Sequence, residues 1–234
     1  MVTNYLENNH LVLIGKVASE KKVSHEIYGE RFFNFNLEVP RLSEISDIIP
    51  ITISERLITD TNLEVGTKVA IEGQFRSYNG YENEKSKLIL TVFAKDIKIV
   101  DEDEHQEEEN ESKRELNSNE VTLNGYICKK PIYRQTPFGR EIADILLAVN
   151  RTYNKSDYIP CIAWGRNARF CQNIEVGTCV KVVGRVQSRG YEKKHEDGTV
   201  EQRTAYEVSI ISLEVMDETD NKEQIEETEN KEVI

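Results

Sequence analysis

In the second half of the chain, aromatic residues stand among cations: Arg151, Tyr153 and Lys155; then Tyr158; then Trp164 with Arg166 and Arg169; then Arg189, Tyr191 and Lys193. Flat rings interleaved with positive charge suit one chemistry in particular. A ring face stacks on an unpaired base of any identity, and a cation pairs with the phosphate beside it. Each stacked base contributes about 1–3 kcal/mol. Tyrosine and tryptophan at half-buried strand positions serve packing as well, so the interleaving carries this reading rather than any one ring. Arg140 and Arg185 lie in the same basic stretch, with Arg134 and Arg203, although sequence alone does not place them on one face.

Strands must position these groups. Tyr158, Pro160, Ile162 and Trp164 are two residues apart, so a strand puts them on one side and Ile159, Cys161 and Ala163 on the other. The small apolar side suits an interior, which leaves the tyrosine and the single tryptophan facing out. Glu141 to Arg151 alternates in the same way, with Ala143, Ile145, Leu147 and Val149 on one face. Thr136–Pro137–Phe138–Gly139 reads as a turn, and Arg166 to Asn173 as one or two helical turns. A strand from Cys179, a hairpin at Asp197–Gly198 and a strand from Ala205 to Val215 complete the set.

The first half repeats this plan. LVLIGKV (11–17) matches VTLNGYI (121–127), IPITI (49–53) matches IPCIA (159–163), and LEVGTKVAIEGQF (63–75) matches IEVGTCVKVVGRV (174–186). The offset stays at 110 or 111, which makes the repeat a whole domain rather than a solenoid unit. Five strands with a short helix between the third and fourth, in about 95 residues, are the order of an OB-fold barrel. The expected fold is therefore all-β: two tandem five-stranded OB barrels, at 8–100 and 120–216. Opposite Tyr153, Tyr158 and Trp164 the first repeat has Ser43, Ile48 and Ser54, and only Tyr81 is kept, opposite Tyr191. The second barrel is thus expected to be the main binding surface and the first a support or a weaker site.

The net charge of −12 is misleading about partners. Residues 101–120 and 217–234 together hold 18 acids and 4 bases, and the remainder carries +2. Within it, 1–100 carries −2 and 121–216 carries +4. Like-charged blocks bury little apolar surface, so 101–119 is expected to be a disordered linker and 217–234 a disordered tail. Such a tail can recruit basic partners or compete with nucleic acid for a groove.

Other chemistries lack their residues. The four cysteines form no CxxC pair and the four histidines are scattered, so neither a disulfide framework nor a metal site is expected. Cys161 and Cys179 lie in strand patterns and are expected to pack as small apolar groups. No phosphate loop, HExxH or GxSxG motif is present, and no cofactor or catalytic role is expected. The chain has no apolar run long enough to span a membrane and no secretory pattern at its start, which points to a reducing cytoplasm.

The stretches VTLNGYICKKP, TPFGREIADILLAVNR, YIPCIAWGRNAR, VGTCVKVVGRVQSRGYE and YEVSIISLEVM resemble, in order and spacing, the bacterial single-stranded DNA-binding protein family. The resemblance covers nearly all of 121–216, and the tandem arrangement is similar to members with two OB-folds per chain that pair as dimers. It implies sequence-tolerant binding of single-stranded DNA in replication, repair and recombination, with stacking at Tyr153, Tyr158, Trp164 and Tyr191. It also implies a homodimer of four barrels and protein partners docking on the acidic tail. The tail here ends in EETENKEVI, without the family's proline and terminal aromatic. Two rival readings are an OB-fold adaptor of the replication-restart machinery and an RNA-binding barrel.

Overall fold

The computed structural model describes residues 8–41, 43, 45–59, 61, 63–82, 85–100, 118–152, 155–194 and 198–216, with backbone alone at 81, 82, 85 and 86. The expectations for 101–117, for 217–234, for Tyr153 and Asp197, and for the Tyr81 side chain lie outside what it describes. The chain forms two compact units: His10–Val121 with Arg185–Ser209, and Thr122–Gly184 with residues 8–9 and 210–216.

The first repeat runs β1 (Asn9–Val17), β2 (Lys22–Ile27), β3 (Glu30–Pro40), β4 (Ser46–Ser54), a 3-10 turn (Glu55–Leu57), β5 (Lys68–Glu82) and β6 (Lys85–Ile99). The strand order is β2-β3-β4-β6-β5-β1, and a β1–β3 pairing closes five of these strands into a ring. β4 and β6 run parallel at Ile51–Val92 and Thr52–Phe93; the other neighbours are antiparallel. This is the OB-fold barrel expected from the strand order. Its interior holds Leu11, Leu37, Ile51, Ile71, Phe75 and Val92, all fully buried.

The second repeat has the same plan: β7 (Asn119–Ile127), β8 (Ile132–Gln135), β9 (Glu141–Arg151), β10 (Lys155–Trp164), α1 (Arg166–Cys171), β11 (Cys179–Lys194) and β12 (Val200–Val215). A β7–β9 pairing closes its ring. Each repeat therefore adds one short strand, β2 or β8, to the five expected. β8 reads IYRQ and is exposed or half-buried along its length, so no apolar alternation announced it.

The alternation read from the sequence is observed. Ala143, Ile145, Leu147 and Val149 point inward on β9, and Ile159, Cys161 and Ala163 do so on β10. Gly139 donates its N–H to Thr136 O at 2.9 Å, which closes the turn, and its φ of +74° is one that favours glycine. Gly15 and Gly125 fall at the same place in each repeat for one reason. A Cβ on Gly125 would meet Ala148 O at 2.7 Å, and one on Gly15 would run into Glu38 O.

Candidate nucleic-acid interface

β10 presents the first part of the site. Its register against β9 sets Tyr158 opposite Ala148 and Trp164 opposite Ile142. Both rings are open, at 47% and 39% exposure. Ile162, expected on the same outer face, is buried at 5%. Six strand residues separate the two rings, roughly 20 Å, so each offers its face to a different base. Arg140, Lys155, Arg166 and Arg169, of the same repeat, are exposed as well. Gly165, at φ +52°, turns the chain from β10 into α1 directly after Trp164.

Not every cation expected to track phosphates is equally disposed to do so. Arg169 pairs with Glu141 at 3.1 Å, and the Tyr133 hydroxyl donates to the same carboxylate at 2.6 Å. That hydrogen bond raises the Tyr133 pKa. Arg169 is still 64% exposed and can present its charge. Arg151 is drawn further in: its Nη1 lies 3.2 Å from Oδ1 of Asp157, a fully buried carboxylate on the paired strand.

The other compact unit holds the outer part of the β11–β12 hairpin, with Arg185, Arg189, Tyr191 and Lys193. Tyr191 is 37% exposed. Arg189 is exposed, and its Nε lies 3.7 Å from Glu207, which also accepts from Gln187 Nε2 at 2.8 Å. Lys193 is half-buried. Arg185 has a different setting. Its Nη2 donates to Oδ2 of buried Asp47 at 3.1 Å. The same carboxylate accepts from Arg41 Nη2 at 2.6 Å, Arg41 Nε at 2.8 Å and the Ser188 N–H at 2.6 Å. The hydrogen bond to Asp47 raises the Arg41 pKa, while burial lowers that of Arg185. Arg185 thus shares one buried carboxylate with Arg41, which draws its guanidinium inward.

Sequence reasoning passed over Asp47 and Asp157. The signal was available: both repeats carry an arginine followed six positions later by aspartate, Arg41–Asp47 and Arg151–Asp157, at the repeat offset of 110. In each, the pair ties the ends of the third and fourth strands of its half, β3–β4 and β9–β10.

Of the cysteines, Cys161 and Cys171 are buried, whereas Cys128 and Cys179 are half-buried, and all four are free thiols. Burial pushes the Cys171 thiol up to about 11.

The model of the single-strand binding protein family matches residues 118–216. Single-stranded DNA-binding protein A of Bacillus subtilis is 39% identical over 83 residues, 32% of this chain and 48% of that protein. Single-stranded DNA-binding protein B of the same organism is 36% identical over 86 residues, 32% of this chain and 74% of that protein. The chain thus spans about half the length of the first of these curated relatives and three quarters of the second. Among solved structures, the single-stranded DNA-binding protein from Thermus aquaticus superposes with a TM-score of 0.69 at 19% identity, covering 89% of this chain and 93% of that one, a likeness of fold. With the barrel order, the repeat and these matches together, the chain belongs to the single-strand binding protein family.

Proposed function

We infer that the protein binds single-stranded DNA without sequence preference and shields it during replication, repair and recombination. The observation that carries this is the open pair Tyr158 and Trp164 on β10, with Arg140, Lys155, Arg166 and Arg169 exposed as well within the stretch that matches the family. Tyr191 with Arg189 and Lys193 forms a second set of the same chemistry. Tyr153 and Tyr81 are assigned to stacking as well. Binding begins electrostatically and is held by stacking, so affinity falls as salt rises. Its role is occupancy of the strand, with no catalysis. Two barrels per chain make a homodimer the four-barrel assembly, and the acidic 217–234 segment is the place for cytoplasmic protein partners.

The test is anisotropy of labelled oligo-dT, oligo-rU and duplex at fixed salt, on the full chain. The reading expects oligo-dT to bind most tightly and duplex most weakly. Replacing Tyr158 and Trp164 together by alanine should cost about 2–6 kcal/mol, one stacked base each. Preference for oligo-rU would make this an RNA-binding barrel. No binding to any of the three would make it a protein-binding adaptor.

A further inference from the structure

The first barrel has lost the rings of the second at matching positions, yet it carries rings elsewhere. His25 on β2 stacks on Phe32 of β3, with centroids 4.8 Å apart and planes 6° from parallel. Phe32 meets Phe93 of β6 at 5.8 Å and 35°. The Arg76 guanidinium of β5 lies over Phe93 at 4.3 Å. The column runs over one outer face of the barrel, while Phe35, Ile51, Ile53, Val92 and Phe75 fill the other side of the same strands.

Ser54 marks where the column departs from the plan of the second barrel. It aligns with Trp164 and pairs with Phe32 on the neighbouring strand, just as Trp164 pairs with Ile142. In the second barrel the ring stands on the third main strand beside an isoleucine. In the first the ring has moved to the second main strand, with serine beside it, and Phe93 meets it from β6. His25 is exposed and ends the column with a ring at the surface; Phe32 and Phe93 are half-buried.

We propose that this column, His25–Phe32–Phe93 capped by Arg76, is a second base-stacking site for unpaired nucleotides, relocated within the first barrel. It rests on the single-strand reading above and extends it to the half of the chain expected to be the weaker binder. A base adds to the column on His25. The neighbouring cations Arg31 and Arg56 are paired with Glu55 and Glu30, each at 3.0 Å, so stacking rather than charge carries this site.

The experiment uses the full chain carrying Tyr158→Ala and Trp164→Ala, which weakens the second barrel, and measures anisotropy with labelled oligo-dT of about 35 nucleotides, long enough to span more than one barrel. Adding His25→Ala is expected to lower the remaining affinity about fivefold or more, the least that one lost stack implies. His25→Tyr, which keeps a ring, is expected to retain it. Phe32→Leu, checked by an unchanged melting temperature, is expected to act like His25→Ala. Residual binding that ignores both His25→Ala and Phe32→Leu, or no residual binding at all, overturns the proposal and leaves the single-strand reading standing. A wild-type chain that binds no oligo-dT overturns both.

Discussion

Asp47 shows how one carboxylate redistributes charge. Two arginines and a serine converge on it, and it has no exposed surface. Removing one partner of a buried pair strands the others, so Asp47→Ala is expected to lower unfolding stability by about 3–5 kcal/mol in a urea titration. Arg185 and Arg166 should therefore separate in a binding assay. Arg166→Gln should flatten the slope of log affinity against log salt by about 0.7, the share of one phosphate contact on a single strand. Arg185→Gln should leave that slope unchanged and lower the denaturation midpoint instead; the reverse pattern would return Arg185 to the interface. The thiols give a pH prediction. With Cys171 held near 11 in the folded chain, its unfolded thiol ionises first, at about 9. Its contribution to stability is complete below pH 9 and is lost as pH rises toward 11. Urea titrations at pH 8 and pH 10.5 should show that loss in the wild type and less of it in Cys171→Ala. Arg185 was not legible from sequence because its partner lies 138 residues away. Tyr158 and Trp164 were legible because the strand period sets them on the side opposite Ile159, Cys161 and Ala163, although the same period did not foretell the burial of Ile162.

At the scale of elements, half-buried strands were the readable ones. β9 and β10 each bury one side, so alternation betrays them, and the Thr136–Gly139 turn follows from its proline and glycine. Ile162 departs from the alternation: on the outer side of β10 it is buried between half-buried Pro160 and exposed Trp164. β2 and β8 attach to barrel edges without burying a face of their own, and their sequences carry no period. The ring column of the first barrel was hidden for a related reason: aligning repeats position by position finds lost rings but not rings that moved to the next strand. Glycine placement gives an element-level test. Gly125→Ala puts a methyl against the Ala148 carbonyl of the paired strand, which must shift. A loss of about 1–3 kcal/mol is expected, as for overpacked interiors, and Gly15→Ala should lose a similar amount because the same closure recurs. Thermal melts of the two variants would check this; if either matched the wild type, the closure would be looser than the backbone spacing implies.

For the whole chain, charge is divided by function. The excess of acid over base lies in 101–120 and 217–234, and what remains is slightly basic. A tail that competes with phosphates should weaken binding most where screening is least. Removing 217–234 is therefore expected to raise oligo-dT affinity several-fold at low salt, with the gain fading near 0.5 M salt; equal affinity at every salt concentration would mean that the tail does not reach the strand.

The claim on which the rest depends is that a ring of the second barrel meets bases directly. Trp164 is the single tryptophan of the chain, so its fluorescence reports that contact without a label. Titrating the full chain with oligo-dT should quench this emission strongly and saturably, and duplex of equal length should leave it nearly unchanged. Emission that stays constant while anisotropy shows oligo-dT bound would place the strand elsewhere and contradict the account.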